Sequence, residues 1–252
     1  FQRIENVLKQ KQIGQNAREI TDFRADLLDL MGLMTRSLIL IEQNPAFEQY
    51  LDGDGRAAPE TVRKEINRNL DSLANSFFLS TPSVYLTVTD TAGRAYFNYS
   101  PQEAVDGREW YEEIRGRIGR QKTAAAYAWL EADNYVAKDI VRSGKLLTLD
   151  ALLYGEGPEP YGAARISIDH LAWLRQWAER AGGQAEYFVV QGGKNIVFRS
   201  REEGGVPPEL ALRLHETLRS RPDRPVAETS EREETLYLAS YLKPLEWTVV
   251  KK

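Results

Sequence analysis

Ser83–Tyr111, SVYLTVTDTAGRAYFNYSPQEAVDGREWY, combines a strand, a glycine turn, a second strand and a compact aromatic cluster. Residues 83–89 alternate apolar with small or polar side chains and carry the β-branched and aromatic bias of a half-buried strand. Asp90, Thr91, Ala92 and Gly93 supply the turn, and Arg94 to Tyr99 reads as the returning strand. Some ten residues later Arg108, Glu109, Trp110 and Tyr111 place a cation and two aromatics with polar tips side by side. This is the chemistry of binding more than of catalysis.

The composition narrows what such a cluster serves. With 33 Lys and Arg against 37 Asp and Glu, the 252-residue chain has a formal net charge of -4. No overall positive field exists to hold a polyanion, so nucleic acid is not an expected partner. The absence of cysteine removes disulfides, thiol nucleophiles and cysteine metal sites. His170 and His215 are the only histidines, and their spacing builds neither a metal site nor a catalytic triad. Nucleotide-binding glycine loops, the GxSxG elbow and the HExxH helix are also missing. A non-catalytic chain without cofactor or metal is expected. Asp52-Gly53-Asp54-Gly55 imitates a calcium loop but lacks its sixth-position glycine and twelfth-position glutamate, and reads as a solvated turn.

Upstream of the opening stretch the pattern is helical. Ile13, Ala17, Ile20, Arg24, Leu27, Met31, Met34, Leu38 and Ile41 recur at alternating steps of four and three, a heptad seam interrupted only by Arg24. Such a seam packs on another helix of the same fold or on a second copy of the chain. Asn44-Pro45 ends or kinks this helix, a short piece follows at Phe47 to Leu51, and Pro59 to Phe78 forms another, with Val62, Ile66, Leu70, Leu73 and Phe77 on one face.

Downstream, residues 123–136 fit helix or strand; as a strand they put Tyr127 and Trp129 on one face. Ala137 to Asp150 holds a hairpin turning at Ser143-Gly144, and Lys145 to Leu153 leaves it as a strand. Ala163 to Ile168 forms another, leading into a helix that Asp169 caps and that runs to about Arg180. Tyr187 to Val190, the Gly192-Gly193 turn and Asn195 to Arg199 then repeat the opening hairpin, and a helix follows at Pro208 to Arg219. Leu236 to Leu242 and Glu246 to Val250 close the chain. The order helix, hairpin, helix, sheet thus occurs twice. The expected fold is α+β: a helical stem over 1–81 and two PAS-like modules, 82–168 and 169–252, each an antiparallel sheet with flanking helices.

In that order the chain resembles a double Cache (tandem PAS-like) extracellular sensor domain of bacterial histidine kinases and chemoreceptors. The resemblance rests on the amphipathic leader, VYLTVTDTAGRAYF, REWY, ARISIDHLAWLRQW, EYFVVQGGKNIVFRS and the closing LYLASYLKPLEWTVVKK. It implies the extracellular portion of a membrane receptor, a sensor histidine kinase above all, with a small molecule (amino acid, sugar or organic acid) held in the membrane-distal first module. An amino-acid-binding subset carries an RxWY motif, matched here by Arg108, Trp110 and Tyr111, and a later aspartate matched by Asp169. Glu103 stands where that pattern has a tyrosine. In that role the guanidinium of Arg108 pairs with a ligand carboxylate while aromatic walls exclude water.

Each candidate also has a plainer reading. Trp110 and Tyr111 either line a pocket or pack a surface helix on the sheet; Tyr127 and Trp129 either line the same pocket or cover the core; Asp169 either takes a ligand ammonium or caps its helix. Asp150, between apolar neighbours in TLDALL, either faces solvent, as the alternation favours, or lies at the pocket mouth. The functional alternative is a ligand-free module of a membrane receptor or membrane-bound transcription regulator that recognises a partner protein or dimerises through the heptad face of the N-terminal helix. No apolar run approaches the roughly 18 residues of a membrane span. The start at Phe1 and the end at Lys251-Lys252 are those expected of a segment cut from a longer protein with flanking transmembrane helices.

Overall fold

Proline and asparagine chemistry set the first boundary. The computed structural model describes residues 2–52, 59–77, 84–121, 125–182, 185–230 and 235–252, with the backbone alone at 2–6, 8, 9 and 77. Helix α1 (Gln2–Gln43) gives way to α2 (Pro45–Leu51) at Asn44, whose side chain accepts from the Ala46 N–H at 3.0 Å. Pro45, which has no N–H to offer, opens α2. Gly53, Asp54 and Gly55 of the calcium-like run lie outside the described residues.

The chain divides into two compact units, 31–173 and 1–30 with 174–252. Of the N-terminal residues expected to form a stem, 1–30 fall in one unit and those from 31 onward in the other. Among the described residues no helix is long and apolar enough to cross a membrane.

In the unit 31–173, α3 (Pro59–Phe77) buries Val62, Ile66 and Leu70 along one face, as their spacing predicts. Five strands follow: β1 (Val84–Asp90), β2 (Ala95–Phe97), β3 (Tyr127–Asp133), β4 (Lys145–Tyr154) and β5 (Pro160–Ile168). They form one sheet in the order β2-β1-β5-β4-β3, every pair antiparallel. Helix α4 (Gly107–Gly119) contacts β1, β3, β4 and β5, while α3 contacts β1 and β2. All seven residues of β1 are consequently buried, where the sequence implies a half-buried strand: alternation records side-chain chemistry, not how many faces neighbouring helices cover. Residues 127–133 resolve the helix-or-strand ambiguity as β3. The strand entering the hairpin is thus β3, joined to β4 through a loop held by Asn134, whose Nδ2 donates to the carbonyls of Val141 at 2.7 Å and Ser143 at 2.9 Å.

The other unit repeats the topology. Strands β6 (Tyr187–Gln191), β7 (Asn195–Arg199), β8 (Val226–Ser230), β9 (Thr235–Leu242) and β10 (Trp247–Lys251) take the order β7-β6-β10-β9-β8, the same pattern counted from its own first strand. Helix α6 (Pro208–Ser220) packs Leu210, Ala211, Leu214 and Leu218 against Phe188, Val190, Tyr237, Ala239, Tyr241 and Val250. Strand β8 has no counterpart in the sequence reading. VAETS sits at the sheet edge with half-buried and exposed positions alternating, and a single large apolar side chain does not announce a strand.

Of the heptad seam, Ile20, Leu27, Met31, Met34, Leu38 and Ile41 are buried within the chain, as packing inside the same fold requires, while Ile13 and Ala17 are half-buried. Within the unit holding residues 1–30, Phe23 packs on Trp177 and Tyr187, with ring centroids 4.1 and 5.8 Å away. Arg24, the interruption, donates its Nε to the Tyr241 carbonyl at 2.7 Å. The polar residue in the seam is a hydrogen bond to a strand.

Candidate ligand-binding site

Helix α4 starts where Asp106 caps it, its Oδ1 accepting from the N–H groups of Arg108 at 2.9 Å and Glu109 at 3.3 Å. Gly107 lets the helix lean directly on the β1–β2 turn: a Cβ there would stand 2.8 Å from the Gly93 carbonyl oxygen and 2.9 Å from the Arg94 carbonyl. From this seat the helical period sorts the side chains into three directions. Tyr111, Ile114 and Ile118 pack on Ala128, Leu152 and Ala163 of the sheet. Trp110, Glu113 and Arg117 follow a second stripe, toward a polar belt on the same sheet face. Arg108 is exposed.

Strand register builds the belt. Residues paired across an antiparallel ladder share a face. One row therefore runs Phe97, Thr87, Arg165, Asp150, Ala128, and the next runs Tyr85, Ser167, Thr148, Leu130. Asp150 is 0% exposed, which overturns its expected solvent position. Arg165 grips it in fork geometry, Nε to Oδ1 at 2.7 Å and Nη2 to Oδ2 at 2.9 Å, and Arg117 reaches Oδ2 from α4. Arg117 also pairs with Glu113, whose carboxylate lies 3.6 Å from Arg165. Burial acts to lower the Arg165 pKa, but the hydrogen bond and charge of Asp150, with Tyr135 and Glu113, hold it above its ordinary value.

Aromatic rings roof the belt. The Arg165 guanidinium lies 4.6 Å from the Trp110 ring centroid and 5.4 Å from that of Tyr135, a cation–π arrangement. Trp110 and Tyr135 meet edge to face at 5.0 Å, and Phe97 and Tyr99 extend the cluster. The Tyr135 hydroxyl bonds Ser167, and that of Tyr99 bonds Thr87 at 2.8 Å. Burial pushes the Tyr135 phenol up to about 12, against the lowering influence of Arg165 and Ser167. Outside this roof lies a cavity of about 350 Å³, lined by Glu109, Trp110 and Glu113 of α4, by Asp133 at the end of β3 with Asn134 and Tyr135 after it, and by the loop 102–106.

The residues expected at a site are thus dispersed. Trp110 borders both belt and cavity, whereas Arg108 is exposed and Tyr111 is core. Tyr127 pairs with Ala151 and Trp129 with Leu149, while Ala128 pairs with Asp150. Tyr127, 45% exposed, and Trp129 therefore occupy the sheet face opposite α4 and cannot line a pocket with Trp110. Asp169 caps α5 (His170–Arg180), its Oδ1 accepting from the Ala172 N–H at 3.0 Å. Arg165 and Tyr135 escape the sequence reading as site members, and Asp150 enters it only as the less favoured pocket-mouth reading. The available signal was a lone charge inside each of two apolar strands, TLDALL and AARISI.

No family model matches the chain, and no curated protein matches it either. Solved structures do. The ligand-binding domain of Campylobacter jejuni chemoreceptor Tlp3, in complex with L-valine, aligns with TM-score 0.63 at 12% identity over 98% of this chain and 94% of that one. The extracellular domain of the putative histidine kinase rpHK1S-Z16 aligns with TM-score 0.56 at 13% identity, over 95% and 94%. The ligand-binding domain of Pseudomonas fluorescens chemoreceptor CtaA with L-serine gives 0.51 at 14% identity, over 96% and 95%. The chain has the fold of these sensory domains, the double Cache architecture that the resemblance implies.

Proposed function

We propose that this chain is the extracellular sensing portion of a bacterial membrane receptor, a sensor histidine kinase in the first instance, flanked by transmembrane helices. It is non-catalytic and takes a small organic molecule in the module of residues 84–168, which the resemblance makes the membrane-distal one. The observation that carries this reading is the polar belt of Asp150, Arg165 and Arg117 under Trp110 and Tyr135, opening beside a cavity. A buried charge pair is weak evidence for stability, and this one lies beneath α4, beside the residues that line the cavity. A second feature fits a receptor. Lys251, near the end of the chain, pairs with Glu19 and bonds Asn16 Oδ1 at 2.7 Å, tying the last strand to α1. A shift in that junction would reach both chain ends together.

A thermal-shift screen of the purified chain with amino acids, sugars, amines and organic acids tests the reading, because a ligand stabilises by mass action. A saturating ligand is expected to raise Tm by several degrees, and Trp110→Ala to abolish that rise while Arg108→Ala leaves it. If no compound class raises Tm, the ligand-free interaction module is the better reading. That alternative has its own support: Asp150 and Arg165 satisfy each other, so the belt needs no guest to hold its charges.

A further inference from the structure

The charge of the ligand can be read from what the cavity offers, given that it is the sensing site. A ligand carboxylate is held by a cation or by free backbone N–H groups; none of the residues lining the cavity is Lys or Arg, and at the start of α4 the N–H groups of Arg108 and Glu109 are taken by Asp106. Arg108 is exposed and outside that lining. Arg165 is behind Trp110 and Tyr135 with both arms of its fork on Asp150, and Arg117 is held by Asp150 and Glu113.

The lining instead carries Glu103, Asp106, Glu109, Glu113 and Asp133. Asp106 caps α4 and Glu113 pairs with Arg117, but Glu103, Glu109 and Asp133 make no ion pair among the described residues. The wall between these carboxylates is aromatic, and its two rings already hold a guanidinium at 4.6 and 5.4 Å on the belt side. A ring quadrupole attracts any cation placed over it, and desolvation strengthens the attraction. A volume of about 350 Å³ accepts a small organic molecule.

We propose that the module of residues 84–168 senses an organic cation, a protonated amine or quaternary ammonium compound. Its ammonium sits against Trp110 and Tyr135 among Glu109, Glu113 and Asp133, and no carboxylate is required. This rests on the sensing reading above and goes beyond it by fixing the charge of the guest.

Matched pairs of compounds that differ only in a carboxylate test it directly by calorimetry on the purified chain: L-valinol against L-valine, agmatine against L-arginine, and choline against glycine betaine, with succinate and glucose as controls. The carboxylate-free member of at least one pair is expected to bind about tenfold or more tightly than its partner, a difference of about 1.4 kcal/mol. The affinity should weaken several-fold between about 0.05 and about 0.5 M NaCl, as screening requires. Glu109→Gln with Asp133→Asn, both exposed positions, should lower the affinity about tenfold while leaving the melting curve of the empty protein in place. Trp110→Leu should lower it further.

Tighter binding by the carboxylate-bearing members, or by succinate, would overturn the proposal and leave the sensing reading intact. So would cation binding that the Glu109, Asp133 and Trp110 substitutions do not change. Binding by none of the compounds would sink both.

Discussion

Both modules place one helix on one face of a five-stranded sheet of the same strand order, yet the layers between helix and sheet differ. Between α6 and its sheet eleven buried apolar and aromatic residues form one cluster, four of them on α6 itself. His215 is the polar member of that layer, its Nδ1 3.4 Å from Thr248 Oγ1 and its ring 5.6 Å from that of Tyr241. Under α4 the apolar cover is split between the Tyr111 cluster and a second around Tyr85, Val136, Val141 and Leu146. The gap is filled by Thr87, Thr148, Asp150, Arg165 and Ser167. One topology thus supports a continuous core in one copy and a buried polar belt in the other. Burying charge costs several kcal/mol per ion before pairing repays it, so the layer under α4 depends on its ion pairs where that under α6 depends on apolar contact.

The contrast breaks most visibly at Arg165. Arg165→Met leaves Asp150 buried with Arg117 as its remaining partner, and is expected to lower unfolding free energy by about 3 to 5 kcal/mol in urea denaturation. Joining it with Asp150→Leu should recover most of that loss, since an apolar pair would make this layer resemble the one under α6. A double variant as unstable as the single one would show that the belt is required for folding as well. In the other module, Leu214→Ala opens a cavity in a mostly apolar layer, a loss of about 2 to 5 kcal/mol. Ligand binding, measured by calorimetry, should stay unchanged.

The seating of the two helices offers a smaller contrast. On α4 the close approach to the hairpin turn is made by Gly107; under α6 the turn itself supplies Gly193, at φ 71°, with His215 Cβ 2.9 Å from where its own Cβ would stand. Gly107→Ala should cost about 1 to 3 kcal/mol through overpacking and also weaken ligand binding, because it displaces Trp110. Gly193→Ala should affect stability alone.

The smallest difference concerns alkaline pH, where the modules should behave alike. Burial raises Tyr135 to about 12 in one module, and burial with the charge of Glu19 raises Tyr187 to about 12 in the other. Each phenol keeps its proton more firmly folded than unfolded. The stability each contributes is therefore complete below the ordinary tyrosine value of 10.0 and is lost as pH rises from there toward 12. Phenolate absorbance of Tyr135→Phe and Tyr187→Phe variants should each lack one late-titrating group. A group titrating near 10 instead would place that ring in water.

How much of this was legible in the sequence varies by scale. Helix boundaries at Asn44-Pro45 and the turn at Gly93 could be read because proline and glycine act through their own backbone, whatever surrounds them. The repeat of hairpin and helix was legible because two periods, two and near four, recur in the same order. The site was not. REWY drew notice as four consecutive residues, but a helix turns about 100° per residue, so Arg108, Trp110 and Tyr111 serve solvent, belt and core respectively.

By itself the sequence determined the α+β class, the doubled order of elements, the absence of cysteine chemistry and the polar residues available for binding. Each follows from local backbone preference, periodicity or composition. The tertiary structure alone decided that Asp150 and Arg165 face each other across β4 and β5, that Tyr127 and Trp129 look away from α4, and that Ile20 and Leu27 to Ile41 of the heptad seam are buried within the chain. These are facts of strand register and helix placement. Partners 15 residues apart, as Asp150 and Arg165 are, meet only when the ladder aligns them, and a slip of one residue would turn every such side chain to the other face.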